Sequence, residues 1–525
     1  MNYRLVFRLL GRLLLIEAAL MLPSLAVALY FGENDVLPFV YTILITAGCG
    51  ALPAYQLKPR RPDLSARDGM AVAGLSWAVL SLFGALPAWF SGAIPCLADA
   101  YFEAVSGFTT TGSTILTEIE SLPKGVLFWR SFTHWIGGMG VLVLTVAILP
   151  KLSGRTAHLA RAESPGPTFS KLMPKMGDSA KVLYLLYILL SLAQTVCLLL
   201  AGMNLYDALI HTFGTAGTGG FSNYNASVAA FNSPLIEWII GVFMMLFGVN
   251  FTVYFHFLRR EAGLAMHSEE LWVYLGLVVL ATLGITGALL PTAPNLGKAL
   301  RDGFFQTTSI ISTTGFATAD FNTWPLIAKG ILALLMFTGA CASSTAGGFK
   351  ISRVILMMKG AYRDMRHTLQ PRKVEVIRFE GKVVQEGTMS QLGIYSFLYI
   401  LLLLLGTLLL CFESVDLTTA FTSVLTCLSN VGPGFNMVGP VENFAFYSIP
   451  AKLLLSFQML AGRLEIYPIL LLFAPSMWRK NKETVALRER AFDAKALSRV
   501  FCLFQMFHVK HSMSLDRAAD LWHTL

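Results

Sequence analysis

Apolar residues run along this chain in long stretches, separated by short polar segments at near-regular intervals. Ten stretches approach or exceed the roughly 20 residues that a helix needs to cross a bilayer. Their approximate limits are 5–31, 36–56, 69–92, 125–150, 181–203, 235–258, 271–291, 323–358, 390–412 and 447–478. They do not alternate apolar and polar residues as membrane β-strands do, so the pattern predicts an all-α polytopic membrane protein. Residues 5–31 read as a first span rather than a cleaved leader, because the stretch is long and Arg8 and Arg12 interrupt its start.

After the first helix pair the pattern acquires a rhythm. One helix crosses, a shorter mixed segment dips in from outside, and a second helix returns, four times over. The dipping segments are Leu97–Ser113, Tyr206–Ser222, Lys298–Ala317 and Leu417–Phe435. Each begins with about ten residues that would rise about 15 Å as a half-membrane helix. Each ends in a tripeptide: Thr110-Thr111-Gly112, Gly217-Thr218-Gly219, Thr313-Thr314-Gly315 and Asn430-Val431-Gly432. Non-helical backbone at membrane depth is tolerated only when buried in protein or lining a wet cavity. Close helix packing explains any one such motif equally well. Four at matching points of four hairpins point to four copies of one element around a central pore. The predicted organisation is an N-terminal helix pair with a basic loop (1–68), four helix–pore loop–helix units (69–180, 181–270, 271–389 and 390–482) and a C-terminal extension (483–525).

Composition agrees with a membrane protein. The chain has 525 residues, 55% hydrophobic and 14% charged, with a mean hydropathy of +0.62. A soluble protein carries about 25% charged residues. The formal charge of +9 raises nucleic acid as a partner, but its distribution argues for topology instead. Segments 57–68, 151–181, 259–270 and 359–388 hold nineteen Lys and Arg, whereas the alternate segments hold three: Lys124, Lys298 and Arg301. By the positive-inside rule the basic segments and both termini are expected to be cytoplasmic. The outer segments carry twelve Asp and Glu, among them Asp99, Glu103, Asp207, Asp302, Asp320 and Asp416. A mouth lined this way would concentrate cations; as single residues they are equally well explained as helix caps and solvated loop charges.

The seven cysteines have no metal-like spacing and read as small buried hydrophobes. His134, His211 and His256 read as structural histidines, with proton coupling as the alternative. No Walker A, HExxH or acylation motif occurs, and Gly214-x-x-Gly217-x-Gly219 resembles a nucleotide loop only in composition. The chain is therefore not expected to be an enzyme. A polytopic membrane enzyme, the remote alternative, would need clustered catalytic groups at one membrane face.

A potassium ion crossing a membrane must exchange its water shell for oxygen ligands, as in rings of backbone carbonyls. Glycine tolerates the dihedrals that turn carbonyls inward and lets four strands approach an axis. The carbonyls of Thr110, Thr111, Gly112, Gly217, Thr218, Gly219, Thr313, Thr314, Gly315, Asn430, Val431 and Gly432 are thus the candidate potassium ligands. No organic cofactor is expected in this chain.

These hairpins, with their flanking Thr-Thr-Thr-Gly, Gly-Gly-Phe-Ser, Thr-Thr-Gly-Phe and Asn-Val-Gly-Pro-Gly, resemble the TrkH/TrkG/KtrB/HKT superfamily of potassium transporters over residues 1 to about 482. The extra N-terminal helix pair is similar to the TrkH/TrkG branch. Sodium-preferring plant relatives carry serine at the first filter glycine; Gly112 here implies potassium.

Residues 323–358 would span about 54 Å as one helix, against a core of about 30 Å. Thr338–Lys350 within them is dominated by Gly, Ala, Ser, Thr and Cys, which predicts a broken helix; a close-packed helix contact is the simple alternative. The resemblance implies an intramembrane gate loop over 339–348, with Gly339, Gly347, Gly348 and Lys350 as its residues. Arg463 lies midway along the last stretch, where an arginine costs at least about 2.5–3.5 kcal/mol and must face protein or water. The resemblance implies that it projects beneath the filter and contacts the gate; a structural ion pair is the alternative.

The resemblance further implies a homodimer, and a cytoplasmic TrkA-type nucleotide-binding ring that docks on the basic loops. Segment 359–388, with Lys359, Arg363, Arg366, Arg372, Lys373, Arg378 and Lys382, is the best candidate surface, and anionic membrane lipid also accounts for its charge. The expected function is potassium translocation across a bacterial inner membrane as the membrane subunit of a Trk-type uptake system. A proton- or sodium-coupled potassium symporter would use the same filter.

Overall fold

The computed structural model describes residues 1–57, 65–140 and 176–478. Helix α1 (Tyr3–Leu20) runs through Met21 into α2 (Leu22–Phe31), and α3 (Val36–Ala51) follows, ending in a π-helical turn over Leu52–Gln56. Gly11 and Gly50 let the backbones of α1 and α3 touch: a Cβ on either would come within 2.7 Å of the other's carbonyl oxygen. Small residues serve this purpose in membranes, where packing rather than water exclusion joins helices.

Four stretches of similar order follow. The first comprises α4 (Ala66–Gly84), α5 (Leu86–Phe90), α6 (Leu97–Phe108) and α7 (Lys124–Gly138). Helix α4 opens on a capping box in which Ser65 and Asp68 bond each other's amides at 3.1–3.2 Å. The second comprises α8 (Met176–Leu200), α9 (Leu205–Gly217), α10 (Pro234–Phe247), α11 (Phe251–Leu258) and the short α12 (Ala262–Met266). The third comprises α13 (Glu269–Leu289), α14 (Leu296–Ile311), α15 (Leu326–Phe337) and α16 (Ile351–Leu369). A two-residue antiparallel hairpin, β1 (Arg378–Phe379) and β2 (Lys382–Val383), precedes the fourth. The fourth comprises α17 (Glu386–Leu410), α18 (Leu417–Ser429), α19 (Ile449–Arg463) and α20 (Tyr467–Leu472). Asn2–Phe473 form one compact unit, and α21 (Pro475–Trp478) belongs to a second.

Among the described residues, six helices are long and apolar enough to cross a membrane, seven if one bent pair counts as a span. The expected spans differ from this in three places. Residues 235–258 are not one helix: α10 and α11 meet at a 90° bend over Gly248–Asn250. Residues 323–358 break into α15 and α16 around a non-helical 338–350, as the small-residue run predicts. Residues 447–478 break at Leu464–Ile466, where Glu465 and Ile466 take φ of 58° and 66°. Arg463 therefore stands at a helix end rather than in mid-span. The second half of the expected span 125–150, the basic loop that follows and the extension 483–525 lie outside the described residues.

Candidate functional site

Helices α6, α9, α14 and α18 are the predicted half-membrane segments, 12, 13, 16 and 13 residues long. Asn204, Asn295 and Asp416 start three of them by accepting an amide hydrogen bond at the first turn. All four end in the same backbone pattern. Shortly after each helix one residue adopts a left-handed conformation: Thr110 (φ 56°), Thr218 (56°), Thr313 (57°) and Asn430 (55°). Three of these are β-branched, a conformation that persists only where the surroundings impose it. The imposing contacts are alike. The amides of Thr110, Thr218, Thr313 and Asn430 donate to the carbonyl three residues back, at 3.0–3.3 Å. The next amides, of Thr111, Gly219, Thr314 and Val431, donate to the carbonyl five residues back, at 2.8–2.9 Å. With the amides turned back toward the helix, the carbonyls of the segment are left for other partners.

Two residues beyond each left-handed position stands a glycine with positive φ: Gly112 (85°), Gly220 (74°), Gly315 (84°) and Gly432 (101°). This sets a register that differs from the expected one in the second repeat. The triplet matching Thr110–Gly112 is Thr218-Gly219-Gly220, not Gly217-Thr218-Gly219. Gly217 is the last residue of α9. A Cβ at Gly217 would overlap the His134 carbonyl, and one at Gly219 would overlap the His134 ring. Both glycines thus make room for His134, whose Nδ1 lies 2.8 Å from the Gly107 carbonyl oxygen, while Gly220 holds the position of Gly112, Gly315 and Gly432.

The four segments close on one another. A Cβ on Gly112 would overlap the Gly219 carbonyl oxygen, one on Gly220 that of Thr314, and one on Gly315 that of Val431; one on Gly432 would stand 2.7 Å from that of Thr111. Each glycine abuts the middle residue of the next segment, and the fourth returns to the first. Hydroxyls brace the segments from behind: Thr109 to Thr111 at 2.8 Å, Ser312 to Thr314 at 2.7 Å and Tyr399 to Ser429 at 2.7 Å. Asn430 Nδ2 donates to Thr111 Oγ1 at 2.9 Å, joining the fourth segment to the first. A cavity of about 210 Å³ opens against the ring and is lined by Gly112, Gly220, Gly315 and Gly432.

The small-residue loop 338–350 lies against this ring. Gly347 donates its amide to Thr313 Oγ1 at 2.7 Å, and a Cβ on Gly347 would stand 2.6 Å from the Ser429 carbonyl oxygen. Thr338 and Phe349 form a parallel bridge, with Gly339 donating to the Phe349 carbonyl at 2.9 Å. Gly339 and Gly348 are in backbone contact, at 2.9 Å between the Gly339 Cα and a Cβ on Gly348. Buried Lys350 turns its Nζ back to the Ala346 carbonyl. From the end of α19, Arg463 donates to the Thr345 carbonyl at 2.8 Å and to those of Gly137 and Gly138 at 2.5 and 2.9 Å. Its guanidinium bridges the loop and the end of α7.

The family described as TrkH, a cation transport protein, matches residues 36–269 and 259–480. The chain belongs to the TrkH family. It is 36% identical to the Trk system potassium uptake protein TrkH of Salmonella typhimurium, over 91% of this chain and 100% of that one. It is 33% identical to the Trk system potassium uptake protein TrkG of Escherichia coli, over 91% and 99%. Its fold matches the crystal structure of the potassium transporter TrkH from Vibrio parahaemolyticus with a TM-score of 0.82 at 33% identity, covering 91% of this chain and 100% of that one. A multi-pass, all-α membrane protein of the TrkH family is what the apolar stretches and the four tripeptides predict.

Most acidic residues expected at the mouth of this TrkH-family chain are engaged locally. Buried Glu103 pairs with buried Arg130 at 2.6 Å and accepts from Thr114 Oγ1 and the Ile115 amide at 2.8 and 3.0 Å. Asp99 pairs with Lys452 at 2.7 Å, which gives that lysine a partner the sequence did not reveal. Asp207 accepts from Asn223 Nδ2 at 2.7 Å and Tyr224 OH at 3.1 Å. Asp416 stays negative: bonds from the Thr419 hydroxyl and amide and from Asn436 hold its carboxyl below the usual range. Exposed Glu442 lines the cavity directly.

Three charged residues escape sequence reasoning. Glu465 pairs not with Arg463 but with Arg353, whose guanidinium lies 3.9 Å from the Tyr395 ring centre. Glu270, 2% exposed, accepts from the amides of Ala342 and Ser352. Glu17, inside the first span, is 2% exposed with neither carboxyl oxygen hydrogen-bonded among the described residues. An intramembrane glutamate is the one signal by which Glu17 could have been found. His211 is held at both ring nitrogens, by the Asp207 carbonyl at 2.8 Å and Ser222 Oγ at 3.1 Å.

Proposed function

We propose that this chain is the potassium-translocating membrane subunit of a Trk-type uptake system in a bacterial inner membrane. The observation that carries the reading is the closed ring in which Gly112, Gly220, Gly315 and Gly432 each abut a carbonyl of the next segment. Potassium enters the outer cavity, exchanges water for the carbonyls of 110–112, 218–220, 313–315 and 430–432, and is slowed beneath them by loop 338–350. The four helix C-termini aimed at the ring add partial negative charge there. Arg463, bonded to the Thr345 and Gly137 carbonyls, is the group that holds the loop in place in this reading. The membrane potential supplies about 2.3 kcal/mol per charge per 100 mV, enough to drive accumulation once the loop moves. Relatives named as Trk system potassium uptake proteins support the ion assignment. A TrkA-type nucleotide-binding ring docking on segment 359–388, a homodimer, lipid contacts and cytoplasmic termini complete the reading.

Potassium-limited growth of uptake-deficient cells expressing the chain, with and without a TrkA-type partner, tests it. Growth is expected with the partner, and no growth under any pairing overturns it. Coupled symport is the second reading, favoured by the buried carboxylate of Glu17, which has no hydrogen bond among the described residues. Loss of the pH dependence of uptake in Glu17→Gln, with uptake itself retained, would support it.

A further inference from the structure

We propose that Glu270 is the latch of loop 338–350 and that the β1–β2 hairpin sets this latch through Glu380. The proposal rests on the reading of that loop as a gate.

Glu270 is the second residue of α13 and is 2% exposed. Its Oε1 accepts the Ala342 amide at 2.7 Å and the Ser352 amide at 3.1 Å. Ala342 lies in the first half of the loop and Ser352 in the first turn of α16 just beyond its end, so one carboxylate oxygen ties the two sides of the loop together. Its Oε2 faces Asn250 Nδ2 at 3.5 Å. Asn250 sits at the bend between α10 and α11, where the loop is seated through Cys341 N to the Gly248 carbonyl (3.1 Å) and Phe251 N to the Ser343 carbonyl (3.2 Å). Glu270 is therefore a positioning residue for the gate, reaching the ion path only through the loop it holds.

The same residue is gripped from the other side. Glu380 Oε1 accepts the Glu270 amide at 3.2 Å and Ser268 Oγ at 2.9 Å, bonding the first turn of α13. Glu380 and Gly381, with φ of 49° and 72°, form the two-residue turn of the hairpin. The hairpin lies in the basic segment and is fastened by Lys359, which pairs with Glu269 and donates to the Arg378 carbonyl at 2.9 Å. A continuous path of hydrogen bonds thus runs from hairpin tip to α13 to both sides of the loop. Moving the hairpin pulls on the backbone of the residue whose side chain closes the loop. A contiguous chain of bonded and packed groups of this kind is what can carry coupling between sites.

Cys341, fully buried within the loop, reports loop opening independently of ion flux. Its labelling by N-ethylmaleimide is measured by peptide mapping on the full chain in nanodiscs. Glu270→Ala should speed labelling about tenfold or more, because both amide hydrogen bonds to its carboxyl are lost. Glu380→Ala should speed it less, Glu380→Gln should stay near wild type because its amide oxygen still accepts, and Glu270→Ala/Glu380→Ala should be no faster than Glu270→Ala alone. Wild-type labelling in monodisperse Glu270→Ala overturns the latch. A double variant equal to the product of the single effects overturns the coupling. Should Glu270→Ala fail to fold, Glu380→Ala decides, and wild-type labelling there overturns the proposal. Faster labelling with unchanged potassium flux keeps the latch and overturns the gate reading instead.

Discussion

Gly347 donates its amide to Thr313 Oγ1 at 2.7 Å. One bond therefore joins the small-residue loop to the strained residue that turns the third segment into the ring. Ring and loop are one packed body here, and the loop cannot withdraw without releasing a side chain of the ring. Replacing Thr313 by Val keeps the shape and removes the acceptor. Basal potassium flux should rise about fivefold, as one neutral hydrogen bond of about 1 kcal/mol is lost. Flux measured in proteoliposomes checks this, and an unchanged value would separate loop from filter.

Gly315→Ser places a Cβ against the Val431 carbonyl oxygen and puts a side chain at φ 84°. The displaced carbonyl should weaken potassium over sodium selection about tenfold, corresponding to strain of 1–3 kcal/mol. Rubidium uptake in competition with sodium measures the ratio.

Gly220→Ser and Gly217→Ala distinguish the two registers of the second repeat. Gly220→Ser should change ion selection as Gly315→Ser does. Gly217→Ala presses on the His134 carbonyl and should lower thermal stability while leaving selection intact in the folded fraction. The reverse outcome would restore Gly217-Thr218-Gly219 as the functional triplet.

Arg463→Ala removes three hydrogen bonds to the Thr345, Gly137 and Gly138 carbonyls. Basal flux should increase about tenfold or more, because bonds from a charged donor hold the loop. Arg463→Lys keeps the charge but not the forked geometry and should fall between. Lower current in correctly folded protein would contradict the gate.

Glu103 and Arg130 form a buried pair at 2.6 Å, and Arg130 lines the cavity at the ring. Arg130→Met leaves the carboxylate buried and should cost about 3–5 kcal/mol of stability. Glu103→Gln/Arg130→Met should recover part of this. Denaturation midpoints of the two variants against the unsubstituted chain decide whether the pair is structural or steers cations.

Much of the architecture is legible in the chain because it is written in local patterns. Apolar length marks the spans, and the Thr/Gly tripeptides mark where four half-helices end. The run from Thr338 to Lys350 marks a break because its small residues carry too little apolar surface to hold a helix in lipid. Gly217, Gly219 and Gly220 show where that legibility stops. Three glycines lie within four residues, and nothing local says which one faces the ring. His134, 83 to 86 positions earlier, claims two of them by its bulk.

By itself, then, the sequence determined the membrane-spanning all-α class, the four short helices that end in the tripeptides and the position of the broken helix. Helix length and backbone permissiveness depend on neighbours in the chain. Tertiary structure alone decided the register of the second segment, the end of α19 at Arg463, and the pairing of Glu465 with Arg353 and Asp99 with Lys452. It also decided that Glu270 would hold Ala342 of the loop and Ser352 just beyond it. Each of these depends on a partner dozens to hundreds of residues away, because a charge or amide buried out of water must find its counterpart wherever the fold brings one.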